Sequence, residues 1–219
     1  MKKKVIILGT GGNCIDILDA LEEINRAGGE TVYECAGFLD DDGEKRGRTF
    51  AGVKVLGALS DARRFADCFF VNGIGSPSNF WKKPAIIAGT GIPKERFLTI
   101  VHPAASVSRM AEIGRGSVIF QNASVTSGAK IGDHVVILPN AVISHDCIVG
   151  DYTCVAGGAS VSGNVKIGER CYIGANASIR NGLEIGAGSL VGMGSVVLET
   201  VAENTVVAGN PARFLRRVE

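Results

Sequence analysis

A six-residue period in the second half of the chain restricts its possible folds more than any other feature. Stepping by six from Val101 through Val107, Ile113 and Ile119 to Val191 and Val197 gives seventeen positions, each Val or Ile, before the next step reaches Glu203. A period of six matches neither the 3.6 of an α-helix nor the alternation of a lone strand. It is the signature of a parallel β-helix. The pairs Ile113-Gly114, Ile131-Gly132, Val149-Gly150, Ile167-Gly168 and Ile185-Gly186 recur every third hexad, so three hexads make one triangular coil. Each face is then a short strand whose stiff, branched aliphatic points into the prism. Residues two places earlier are mostly small, such as Ala123, Ala141, Ala159 and Ala177, and fit where the interior narrows. No insertion breaks the count, so no long loop leaves the coils. Function must use the faces themselves and any groove between stacked symmetry mates.

The first half has another grammar. Lys4 to Leu8 reads as a strand, Gly9-Thr-Gly-Gly-Asn13 as a tight turn, and Ile15, Leu18 and Leu21 as one face of a helix. Further strands are expected at residues 32–39, 53–56, 68–72 and 97–101, with helices near 61–65 and 79–88. The alternation predicts a small Rossmann-like α/β domain over residues 1–100, followed by the β-helix and a carboxy-terminal tail over 101–219. The fold class is therefore α/β plus β.

Gly9 and Gly11 fit a dinucleotide fingerprint, but Cys14 stands at its third glycine, which argues against a hydride-transfer cofactor. The turn still suits a phosphate at a helix amino terminus; it equally suits a plain strand-to-helix turn. Asp40-Asp41-Asp42-Gly43 ends the second strand, where a carboxylate accepts hydrogen bonds from a ribose or base, or simply solvates a turn. Gly73-Ile-Gly75 follows the fourth strand at the same end of such a sheet. Gly9, Gly11, Gly12, Asn13, Asp40, Asp41, Gly73 and Gly75 are thus the candidate substrate-binding residues.

Lys and Arg number 23 against 22 Asp and Glu, a net charge of +1, so no global field recruits nucleic acid or an anionic membrane. No apolar run is long enough to span a bilayer, and MKKKVIILG reads as a strand rather than a signal peptide. Six scattered cysteines without ligand spacing fit reduced thiols in a cytoplasmic protein with no metal. Of three histidines, His145 is followed by Asp146, a pairing that can fix an imidazole tautomer and stabilise the imidazolium. Neighbours on a strand point to opposite faces, so the contact requires a corner between them. His134 is expected to be structural or subunit-facing, His102 to shape the junction, and Cys147 and Cys154 to fill the coil.

Together the G-x-G-G opening, Gly-Phe-Leu-Asp-Asp-Asp at Gly37 to Asp42, His-Asp-Cys at His145 to Cys147 and Gly-Asn-Pro-Ala at Gly209 to Ala212 resemble the sialic acid O-acetyltransferase family of hexapeptide-repeat sugar acyltransferases. Within it, Ser162-Gly-Asn-Val-Lys-Ile-Gly168 is most similar to UDP-4-amino-sugar N-acetyltransferases of bacillosamine-type biosynthesis. The resemblance implies a left-handed helix, a homotrimer with active sites between subunits, and acetyl-CoA-dependent N-acetylation of a nucleotide-linked amino sugar by direct transfer. It makes His145 the general base, Asp146 its acidic partner and the Gly163 N–H the oxyanion donor. It lays CoA along Gly163 and Asn181 on neighbouring coils, with Pro211 against adenine and Arg213 near phosphate; read without it, Asn210-Pro211 is a helix terminator and Arg216-Arg217 a solvated tail. Asn13 and Cys154 replace histidines common in those relatives, which leaves the acceptor open. O-acetylation of a sialic acid or related sugar is the enzymatic alternative, and a noncatalytic sugar-nucleotide scaffold the alternative of another class.

Overall fold

A computed structural model describes residues 2–218. The amino-terminal half forms a sheet of five strands, β1 (Lys3–Leu8), β2 (Tyr33–Leu39), β3 (Thr49–Phe50), β4 (Val53–Gly57) and β5 (Phe69–Asn72), in the order β3-β4-β2-β1-β5. All neighbours are parallel except β3 and β4. Central β1 buries Val5 to Leu8 completely, which is why its sequence is an apolar run instead of an alternation. Between β1 and β2, α1 (Gly12–Gly28) buries Cys14, Ile17, Leu18 and Leu21 and stops at Gly29, whose left-handed backbone returns its N–H to the Arg26 carbonyl. The helix expected at residues 61–65 is a 3-10 turn, Leu59–Arg64. The one expected at 79–88 begins as a 3-10 turn, Phe80–Lys82, and continues as α2 (Lys83–Gly89).

In the second half, every one of the seventeen repeat aliphatics is the second residue of a two-residue strand. The strands stack in parallel at a register of eighteen residues, as Val118–Ile119 on Val136–Ile137 on Cys154–Val155. Three faces result. The first runs from Ile100–Val101 to Leu190–Val191, the second from Ser106–Val107 to Val196–Val197, and the third from Glu112–Ile113 to Glu184–Ile185. From Ile119 onward the aliphatics form one buried column. The expectation that all of them point into a closed prism fails at the first coil: Val101 is 37% exposed and Val107 and Ile113 are half-buried, because no coil lies beneath them.

From Gly116 to Gly194, the residue three places after each aliphatic turns the corner with positive φ. Asn122, His134, Asn140, Asp146, Asn164 and Asn176 are among these, interspersed with glycines. Asn, Asp and Gly tolerate this conformation best. The carboxy-terminal segment is neither helix terminator nor loose tail. Thr205–Gly209 adds a parallel strand to Leu190–Val191 and Ala212–Arg217 returns antiparallel to it, with Asn210 and Pro211 at the turn. This hairpin extends the first face.

The two halves share a core. Val5, Ile7, Ile17, Phe38 and Val71 pack in one apolar cluster with Ile100, Val118, Phe120, Val136 and Cys154 of the first face. Polar ties reinforce the seam: Thr99 Oγ1 donates to the Gly114 carbonyl at 2.9 Å, and Lys94 pairs with Asp133. The first face is therefore covered by the chain's own amino-terminal half.

Candidate active site

The His145-Asp146 pair sits in the turn between the strands Val142–Ile143 and Ile148–Val149, the corner joining the second and third faces. Asp146 is the positive-φ residue of that corner, φ 59°. This backbone swings its side chain back so that Oδ2 lies 2.9 Å from His145 Nδ1, the contact that two neighbours on a straight strand could not make. Both side chains are more than half exposed. One coil above, Gly163 faces the imidazole: a Cβ there would stand 2.5 Å from His145 Nε2, so only glycine leaves the ring room. The Gly163 N–H has no backbone acceptor, while its carbonyl accepts from Gly182 N. Catalytic candidates His145, Asp146 and Gly163 thus converge at one exposed corner, with a ring nitrogen and a backbone N–H free.

A second constellation lies at the carboxyl ends of β1, β2 and β5. Gly9, Gly11, Asp40, Asp41, Gly73 and Gly75 line one cleft of about 320 Å³, together with Thr10, Cys14, Ser76, Asn79 and Ile86. Gly11 caps α1 without a side chain, so the positive end of a seventeen-residue helix opens here. Gly12 and Asn13 form the helix's first turn and lie outside the lining. Cys14 replaces the third glycine because the opposing chain makes space for it: a Cβ at Gly73 would meet Cys14 Sγ at 2.4 Å. Burial pushes that thiol up to about 12, so it stays protonated and is packing.

The two cleft carboxylates differ. Burial raises the Asp40 carboxyl, but the Thr10 hydroxyl at 2.5 Å, the Asp42 N–H and the Lys45 ammonium outweigh it and hold the group below the ordinary carboxylate range. Asp41 instead spends Oδ1 on the Leu59 N–H at 2.8 Å, anchoring the 3-10 turn. Thr10, which sequence reasoning passed over, is the residue that orients Asp40. Its only signal was its place between two glycines.

The remaining candidates lie on the coils and hairpin. Asn181 is exposed at the corner one coil above Gly163. Arg213 lines a separate groove of about 370 Å³ between the last coil and the hairpin, with Glu199, Thr205 and Phe214; Pro211 is exposed at the hairpin turn. Cys154, on the first face, is buried under the amino-terminal half and does not open to the His145 corner. His134 is buried too, edge-on to Phe97 and stacked on Tyr152 at 5.2 Å, and desolvation pushes it down to about 4. His102 Nδ1 accepts from the Ala104 N–H at the junction.

Residues 110–145, 128–163 and 164–199 match the bacterial transferase hexapeptide (six repeats) family. The chain is 33% identical over 123 residues to the UDP-N-acetylbacillosamine N-acetyltransferase of Bacillus subtilis (strain 168), covering 53% of this chain and 51% of the relative. The match therefore spans about half the length of that curated relative. Solved structures extend the likeness along the chain. The acetyltransferase domain of PglB from Neisseria gonorrhoeae FA1090, in complex with acetyl coenzyme A, is 28% identical with a TM-score of 0.81, over 98% of this chain and 100% of that one. A variant of perosamine N-acetyltransferase from Caulobacter crescentus, in complex with CoA and GDP-perosamine, is 27% identical with a TM-score of 0.82, over 97% of this chain and 96% of the other. Among the described residues no helix is long and apolar enough to cross a membrane.

Proposed function

We propose that this chain is an acetyl-CoA-dependent N-acetyltransferase that acylates the amino group of a nucleotide-linked amino sugar. The observation that carries the reading is the His145 corner: an imidazole with Nδ1 held by Asp146 and Nε2 open beside the free Gly163 N–H. It stands in a chain similar almost end to end to an acetyltransferase domain solved with acetyl coenzyme A and to a perosamine N-acetyltransferase solved with CoA and GDP-perosamine.

In this reading residues 1–100 are a Rossmann-like domain that holds the nucleotide, and residues 101–219 a left-handed β-helix that binds acetyl-CoA. The acceptor amine, deprotonated, attacks the thioester carbonyl. His145 Nε2 takes the proton released as the nitrogen–carbon bond forms, the Gly163 N–H donates to the tetrahedral oxyanion, and the proton passes to the departing CoA thiolate. Asp146 fixes the tautomer that keeps Nε2 an acceptor and stabilises the imidazolium. Asn181 one coil above Gly163 and Arg213 in the groove beside Glu199 support a CoA path up this corner, and the reading takes Pro211 of the hairpin turn as the contact for adenine. Gly12 and Asn13 contribute the helix terminus rather than the cleft wall.

The placement of the two sites supports a homotrimer with composite active sites. The nucleotide cleft belongs to the half that covers the first face, whereas His145 stands at the corner between the second and third, across the prism. A neighbouring subunit joins what one chain separates. All six cysteines are free, in keeping with a cytoplasmic enzyme.

Acetyl-CoA consumption with UDP-, GDP- and dTDP-linked 4-amino sugars and their 4-hydroxy counterparts tests the reading. Transfer to an amine is expected, and a loss of about 10²–10⁴-fold in turnover for His145→Ala. Preference for the hydroxyl acceptor would redirect the reading to O-acetylation. Undiminished turnover in a folded His145→Ala protein would remove the proposed base, and nucleotide binding without any acyl transfer would leave a scaffold.

A further inference from the structure

Lys83 is the first residue of α2 and, among the described residues, the only lysine that is fully buried, at 1% exposure. Nothing in the reaction described above uses it. Its Nζ donates to the His134 carbonyl at 2.6 Å, which ties it to the first-face side of the coil. That is one acceptor for three N–H donors, and among the described residues no carboxylate pairs with it. The group whose negative form would favour the ammonium is the Cys154 thiol, which burial pushes up to about 11 and so keeps neutral. An ammonium buried without a counter-charge is costly, and the side chain would be better replaced by an apolar one of its size unless something else supplies the anion.

Gly75 indicates where that anion sits. A Cβ built there would lie 3.9 Å from both Cδ and Nζ of Lys83, so the ammonium stands directly behind the backbone that forms one wall of the Gly9-Asp40-Gly75 cleft. That cleft also contains Asp40 and Asp41. Lys45 pairs with Asp40 and Asp42 from the rim, and its charge is spent there. Without a further cation the lining would repel a dianion. Lys83, with the amino end of α1, reverses that balance from behind.

We propose that Lys83 is the buried counter-charge for the diphosphate of the nucleotide ligand, acting through the Gly75 wall and setting the cleft's preference for nucleoside diphosphates over nucleosides. The proposal rests on the reading of this cleft as the nucleotide site. It makes Lys83 a specificity-determining residue for the anionic part of the acceptor, with no role in the acyl donor's site. It also links binding to protonation. Desolvation brings the Lys83 ammonium down to about 8, and an anion beside it raises that value, so diphosphate affinity is full below pH 8 and weakens as the pH rises through it. The groups packed around it keep one charge state there: His134 is pushed down to about 4, Cys154 up to about 11 and Tyr172 up to about 12.

Calorimetric titration of the full chain with UDP, GDP and dTDP, and with uridine, guanosine and thymidine, tests this. Lys83→Met keeps the buried stem and Lys83→Gln keeps a donor to His134; whichever retains the wild-type melting temperature is used. For the diphosphate that the wild type binds, a loss of about tenfold or more is expected, with the matching nucleoside and acetyl-CoA unchanged and the decline of affinity above pH 8 abolished. Equal losses for diphosphate and nucleoside, or a pH dependence that survives the substitution, would overturn the counter-charge and leave Lys83 a structural tether. Wild-type protein that binds none of the three diphosphates would overturn the cleft's assignment itself, and the proposal with it.

Discussion

The two halves of this molecule solve the problem of making a site in opposite ways. The coils are built from one instruction repeated, and equivalent residues do equivalent work: Ile131, Ile143 and Ile167 are interchangeable parts of one column. In the amino-terminal half no residue has a counterpart. Thr10 orients Asp40, Asp41 pins a turn, Gly73 admits Cys14, and each does so once. Repetition yields a stiff frame whose corners are placed to the ångström, but every corner is alike until side chains distinguish it. The irregular half supplies the concave, singular surface that recognition needs. In the proposed reading, the chemistry arises where one departure, His145-Asp146, is written onto the repeat.

That contrast can be broken by mutation, beginning with the largest effect. Ile131→Ala, Ile143→Ala and Ile167→Ala should each cost about 2–5 kcal/mol in denaturant unfolding and fall within about 1 kcal/mol of one another; widely scattered values would mean that the coils are not equivalent. Gly163→Ala should lower turnover by about 10²-fold, because the new Cβ displaces the His145 ring and small misplacements of a reacting group cost that much. Gly157→Ala, at the corner between the first and second faces, should change turnover little, and equal losses at both sites would assign the effect to the coil rather than to the imidazole.

The seam between the halves gives the next prediction. His134 has a folded pKa of about 4 against an ordinary 6.5, so between those values the unfolded chain binds the extra proton. Stability is then full above pH 6.5 and falls by about 2 kcal/mol on acidification towards pH 4. His134→Asn, which suits the positive-φ corner, should flatten this part of the melting-temperature profile. Smallest is Thr10→Val, which removes the hydroxyl that holds Asp40. A several-fold rise in KM for the nucleotide sugar is expected, about 1 kcal/mol, with KM for acetyl-CoA unchanged; a shift in both would assign Thr10 to the shared frame.

The β-helix was legible because its period is a property of composition at fixed steps: each Val or Ile predicted from spacing heads a strand end in the structure. Its corners were equally periodic but carried a weaker code, Gly or Asn three places after the aliphatic, and it is that column which contains Asp146 and explains its contact with His145. In the other half the glycines and Asp40 announced a cleft, yet not its internal wiring. Thr10 belongs to no motif, and Asp41 looks like a ligand until the Leu59 N–H claims it. Lys83, beside exposed Lys82, reads as surface. Burial of a single lysine depends on how the two halves of the chain meet, which no local pattern encodes. The hairpin was missed for a similar reason: Asn210-Pro211 marks a stop without saying what the chain does after it.

The eighteen-residue register also makes the β-helix a gauge. Stacked strands lie about 4.8 Å apart, so the height from the His145 corner to any later corner is fixed in whole steps: one to Gly163, two to Asn181, three to Glu199 beside the Arg213 groove. A cosubstrate that grips the groove at one end and presents its reactive carbon at the other is thereby measured. Excising one coil would preserve every face and every corner, and still shorten the span by one notch.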